Sequence, residues 1–105
     1  MSSIKRGFVH TVFFWLKEKE NREHHAALHA GILKLADNDL MVASYAGTPA
    51  DTNREVIDSS YDFSITFIFK NKADQDTYQV HPQHMEFIES CSKYWGKVQV
   101  YDAEC

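Results

Sequence analysis

Cysteine is scarce in this chain, and it has no long apolar run and no block of like charge. Each shortage removes a class of function. Cys91 and Cys105 are its only cysteines. Their spacing matches no metal motif, and the second sits at the terminal residue. Both are expected to be free thiols in a reducing compartment. No apolar stretch reaches the ~18 residues that a membrane-spanning helix needs. Eleven basic residues are scattered among fifteen acidic ones, giving a formal net charge of −4. Binding to nucleic acid requires a basic stripe that displaces counterions from phosphates, and an anionic membrane selects the same feature. Neither partner is expected. No linker, internal repeat or low-complexity tract divides the chain, so residues 1–105 read as a single domain.

Two features that imitate other classes fail on inspection. Lys5 and Arg6 precede the apolar segment Phe8 to Leu16, as in a secretory leader. His10 and Thr11 interrupt that segment, however, and the charged stretch Lys17 to Glu23 follows where a small-residue cleavage site belongs. A cytoplasmic protein is expected. The aromatic strands also invite comparison with RNA-recognition domains, but Asp62 to Phe69 lacks the basic residue and the glycine of such a motif.

What is present is a generous core. Hydrophobic residues make up 44% and aromatics 13% of the chain, which argues against disorder. A domain this small still buries only about two-thirds of its unfolded surface, so association with a second copy would help it.

Phe8 to Leu16 is β-branched and aromatic and reads as a first strand. Alternation puts Phe8, His10, Val12, Phe14 and Leu16 on one face, and Val9, Thr11, Phe13 and Trp15 on the other. Both faces are apolar, so both need cover. A helix is predicted from about Glu20 to Ala36, with Leu28, Ile32 and Leu35 at helical spacing. Met41 to Ala46 reads as a second strand, residues 48–60 as a polar connection, and Asp62 to Phe69 as a third strand. Asn71 is a plausible N-cap for a helix running to about Val80. Pro82 opens a further helix to about Tyr94, Gly96 ends it, and Lys97 to Asp102 forms the last strand.

This order is the split βαβ, ferredoxin-like arrangement of an α+β protein: a four-stranded antiparallel sheet with its helices on one face. The other apolar face, carrying Phe13 and Trp15, then needs a second cover. A second copy packed sheet on sheet supplies it, so a homodimer is expected.

Chemistry is suggested at one place, the segment Asp76-Thr77-Tyr78-Gln79-Val80-His81-Pro82-Gln83-His84. A proline ends the helix before it. Tyr78 and His81 are predicted in the last turn of one helix and His84 in the first turn of the next. The positive end of the helix dipole disfavours an imidazolium, keeping His84 neutral near pH 7 and able to act as a general base. The Tyr78 phenol could stabilise the resulting oxyanion, and no cofactor is needed. The competing reading is structural: Tyr78, His81 and His84 bond one another and the backbone to fix the helix break. His25 and His29, four apart on the first helix, have a spacing that can clamp a metal, but no third ligand stands near, and no metal is expected.

The segments Phe8 to Lys17, Tyr61 to Phe67 and Tyr78-Gln79-Val80-His81-Pro82-Gln83-His84 together resemble the stress-responsive A/B barrel (Dabb) family. The resemblance spans about residues 7–102. It implies that two ferredoxin-like chains pair into a dimeric α+β barrel, and that the protein is linked to stress response with no assigned reaction. A plant subgroup of the family cyclises linear polyketides by aldol condensation, using the tyrosine and final histidine of this block, which match Tyr78 and His84. Those cyclases keep a histidine on the third strand where this chain has Phe63. The family places the counterpart of His10 near a pocket between sheet and helices. His10, His81 and Phe63 are therefore expected to line a small-molecule site for an apolar or aromatic ligand, although for Phe63 a plain core position is the favoured reading. Other dimeric α+β barrels oxidise aromatic substrates without a cofactor, which leaves a monooxygenase-like relative as a further alternative.

Overall fold

The computed structural model describes residues 6–105, so Lys5 of the leader-like start lies outside them. Along β1 (Phe8–Leu16) burial alternates strictly, with Phe8, His10, Val12, Phe14 and Leu16 inside. It is followed by α1 (Arg22–Leu35), β2 (Met41–Gly47), β3 (Phe63–Phe69), α2 (Lys72–Gln79), α3 (Pro82–Cys91), a 3₁₀ turn at Ser92–Tyr94 and β4 (Trp95–Glu104). The strands form one sheet in the order β2-β3-β1-β4. All three pairings are antiparallel. This is the ferredoxin-like fold.

The helices lie on a single face, over the alternate residues of β1 and β3 that point inward. Phe63, Ile65, Phe67 and Phe69 of β3 join the β1 set beneath Leu28, Ile32 and Leu35 of α1 and Phe87 and Cys91 of α3. Asn21 starts α1 by accepting a hydrogen bond from the His24 N–H at 3.0 Å, which sets the first turn at Arg22. Asn71 does the same for α2, accepting from the Asp74 N–H at 2.9 Å. Each side-chain oxygen satisfies a donor that the helix cannot satisfy itself.

Gly96 does not end a helix. The 3₁₀ turn at Ser92–Tyr94 closes α3, and Gly96 is the second residue of β4, its α-carbon facing Lys17. α3 is capped at Ser92, and the Lys17 N–H bonds to the Tyr94 carbonyl at 3.0 Å while Leu16 pairs with Trp95, so pairing to β1 captures Gly96 in the strand.

Gly31 sets how closely α1 approaches α3. A β-carbon there would lie 2.5 Å from the Cys91 sulfur and 3.5 Å from the Phe87 ring. Alanine normally strengthens a helix relative to glycine. Here Gly31→Ala should instead destabilise the protein by about 1–3 kcal/mol in urea denaturation, because it overpacks a buried contact. The loss should shrink in a Cys91→Ala background, where the obstructing sulfur is gone.

The opposite face of the sheet has no helix. Phe13, Trp15, Thr11 and Val9 of β1 lie on it, with Tyr101 paired across from Thr11. The segment 48–62 folds back over one end of this face. Trp15 Nε1 donates to Ser60 Oγ at 3.0 Å, and Tyr61 meets Phe13 at 4.9 Å between ring centres. Asp62 anchors the segment by accepting from the Leu16 N–H and from Lys19, both at 2.8 Å. The rest of the face is open: Val42, Tyr45 and Tyr101 are exposed by 69%, 64% and 62%.

Candidate functional site

The break between α2 and α3 is built by Pro82. The residue before a proline is pushed out of the helical region. His81 accordingly has φ −68° and ψ 139° and becomes the N-cap of α3. Its Nδ1 accepts from the Gln83 N–H at 3.1 Å. The expected place of His81, in the last turn of α2, is thus corrected by one backbone torsion. Its imidazole serves the helix start and lines no part of the cavity described next.

A cavity of about 470 Å³ opens between the sheet and the α2–α3 corner, lined by the polar residues His10, Gln75, Tyr78, Gln79, His84 and Asp102 and otherwise by apolar side chains. The Tyr78 ring stands between the two imidazoles, 4.8 Å from His84 and 6.2 Å from His10 between ring centres. Phe14, Phe87 and Trp95 pack together along the apolar wall, with ring centres 5.1 to 6.0 Å apart. The structure therefore brings together His10, Tyr78 and His84 of the sequence-derived set. Phe63 lies elsewhere. It is buried in the core with His25 and His29 against its ring, at 4.4 and 5.5 Å. Among the described residues no group of three or more His, Cys, Asp or Glu could hold a metal ion.

The protonation of each polar group follows from its partners. His84 Nδ1 lies 3.1 Å from the Gln79 carbonyl oxygen. A carbonyl only accepts, so Nδ1 carries the proton and the neutral ring keeps its lone pair on Nε2. Burial holds the His84 imidazole below its ordinary value of 6.5, opposed by the bond to Gln79 and assisted by nearby His10. Desolvation is the main cause, and it keeps the ring neutral near pH 7. His10 Nδ1 meets Asp102 Oδ1 at 2.6 Å across the β1–β4 pair, which leaves Nε2 as its unengaged nitrogen. Burial pushes the Tyr78 phenol well above its ordinary value, so it stays protonated as a donor. Among the described residues no protein group hydrogen-bonds its hydroxyl.

Sequence reasoning missed Asp102 and Gln75. Asp102 sits 92 positions from His10, and only the register of β4 on β1 brings it opposite. A strand count from His10 along an assumed β1–β4 pairing could have found it. Gln75 is one turn before Tyr78 on α2 and carried no motif signal. A smaller groove of about 280 Å³ runs between α1 and α3, past Gly31, Lys34, Glu86 and Cys91. Its charges pair with each other at 2.7 Å, and burial raises the Cys91 thiol, which keeps that thiol protonated.

Fold and site define a ferredoxin-like chain with a tyrosine and two histidines lining a cavity between sheet and helices. The chain belongs to the stress-responsive A/B barrel domain (Dabb) family, whose model matches residues 8–105. Among solved structures it is similar to a Dabb protein with a ferredoxin-like fold from Mesorhizobium loti. That match has 19% identity and a TM-score of 0.76, covering 96% of this chain and 98% of the other. It is similar to the hydroxynitrile lyase of Passiflora edulis, at 19% identity and a TM-score of 0.76, covering 95% and 94%. A dimeric ferredoxin-like protein of unknown function from Thermobifida fusca is also similar, at 15% identity and a TM-score of 0.75, covering 95% and 92%. No curated protein matches the sequence. Among the described residues no helix is long and apolar enough to cross a membrane.

Proposed function

We propose that this protein is a homodimeric small-molecule-binding member of its family whose cavity moves a proton next to a carbonyl group without a cofactor. The observation that carries this reading is the convergence of a neutral His84, with its free lone pair on Nε2, and an unpaired Tyr78 hydroxyl on one largely apolar cavity. His84 Nε2 takes the proton from the carbon beside the carbonyl. The electron pair of that C–H bond moves to the carbonyl oxygen, and the Tyr78 O–H donates to the enolate that forms. Asp102 orients His10 on the facing wall, so His10 Nε2 is placed as a second donor or acceptor. Lyase or cyclase chemistry follows when the enolate attacks or expels a group. That the Passiflora edulis enzyme is a lyase agrees with such use of the fold and supplies no substrate here. The dimer rests on the uncovered sheet face, and the dimeric Thermobifida fusca protein supports it.

The test is exchange of the α-methylene protons of propiophenone in D₂O, followed by NMR. The unmodified protein should accelerate exchange. The rate should require deprotonated His84, fall on acidification with a midpoint below the ordinary histidine value of 6.5, and be flat above it. No acceleration at millimolar propiophenone, or a rate that still climbs with pH through the alkaline range, would sink the assignment. The same lowered value has a stability consequence. Unfolded His84 binds a proton more readily than folded His84, so its contribution is present above about pH 6.5 and is lost as pH falls.

A further inference from the structure

α2 presents two buried side chains to the cavity one turn apart, Gln75 and Tyr78. Gln75 is only 5% exposed. A carboxamide carries two N–H donors and an acceptor oxygen, and burying it unpaired works against stability. No hydrogen bond among the described residues engages the Gln75 carboxamide. Its polar atoms are not sealed within the packing either; they open onto the cavity it lines. Val12, Leu35 and Ile65, which line the same cavity from other elements, show what folding alone would place there. A leucine at position 75 would fill similar space without the unmet donors and acceptor.

We propose that Gln75 is a ligand-binding residue that holds a second oxygen function of the ligand, beside the carbonyl held by Tyr78. This rests on the reading of the cavity as a carbonyl site. Residues three apart on a helix have their β-carbons ~5–6 Å from each other, so the two groups can engage oxygens on adjacent carbons. The ligand class is therefore an α-oxygenated carbonyl compound, such as a hydroxy ketone. Its apolar remainder lies along Phe14, Phe87 and Trp95.

The experiment is calorimetric titration of the unmodified protein and of Gln75→Leu with 2-hydroxyacetophenone and propiophenone, which differ by a hydroxyl in place of a methyl group. The unmodified protein should bind the hydroxy ketone about tenfold more tightly. Gln75→Leu should bind both alike, the preference for the hydroxy ketone being lost. Its Tm without ligand should equal or exceed that of the parent, which a structural role for Gln75 would not allow. Gln75→Met, closer in shape, carries the same expectation should the leucine variant fold poorly. A preference that survives both substitutions overturns the assignment, as does a parent protein that binds both ketones equally. If the parent binds neither ketone, the carbonyl site itself is wrong and the role of Gln75 falls with it.

Discussion

His84→Gln should reduce the exchange of propiophenone α-protons by about 10²–10⁴-fold, the span that a positioned general base contributes. Glutamine keeps a polar side chain of similar reach at the start of α3 but has no lone pair basic enough to take a carbon-bound proton. Tyr78→Phe should cost about 10²–10³-fold, because it removes the donor aimed at the developing oxyanion. The two variants should differ in their effect on folding. The Tyr78 hydroxyl has no protein partner among the described residues, so its removal should leave Tm unchanged. His84 bonds to the Gln79 carbonyl across the helix break, so its replacement should lower Tm modestly. That bond is also where the structural reading of the block holds: His84 and His81 do tie the corner together. If both variants lose stability yet keep the exchange rate, the block is scaffold and the proton-transfer reading is wrong.

Thr11→Arg should convert the proposed homodimer to a folded monomer. Thr11 lies mid-strand on β1, on the open face, between Thr66 of β3 and Tyr101 of β4. In a monomer the arginine would extend into water and disturb no core contact. In a sheet-on-sheet dimer it would be buried without a counter-ion, which is strongly unfavourable. The dissociation constant should rise at least about a hundredfold, equivalent to about 2.7 kcal/mol. Sedimentation velocity at micromolar concentration should show the mass halved, with the far-UV circular dichroism unchanged. A parent protein that already sediments as a monomer, or a variant that keeps the dimer mass, would show that something else covers this face. The fold makes the need plain: the molecule is a two-layer slab whose shortest extent is 18 Å, with Tyr45 and Tyr101 bare on its open side.

Most of the fold was legible because periodicity is a local property. The strict alternation of Phe8 to Leu16 and of Phe63 to Phe69 assigned strands and faces, and the spacing of Leu28, Ile32 and Leu35 assigned the helix over them. Where the reading slipped, a neighbour outside the segment decided. Gly96 looked like a helix terminus by composition, but β1 was already there to pair with it. His81 was an error of a different kind: the proline after it dictates its torsions locally, and that rule outweighs its helical surroundings.

The site divides along the same line. Tyr78 and His84 share one short segment around Pro82, so their proximity was written in the chain itself, and alternation alone turned His10 toward the helices. Residues distant in sequence carry no such mark. Asp102 meets His10 because an antiparallel register aligned them, and Phe63 misses the cavity because its place on β3 falls under His25 and His29. Nothing local revealed that Gln75 is buried beside the cavity, since burial is a property of how α2 lies on the sheet. The tautomer of His84 likewise awaited the Gln79 carbonyl. Local torsions and periodic burial specify elements and faces, whereas partners, cavities and proton positions exist only once those faces have packed.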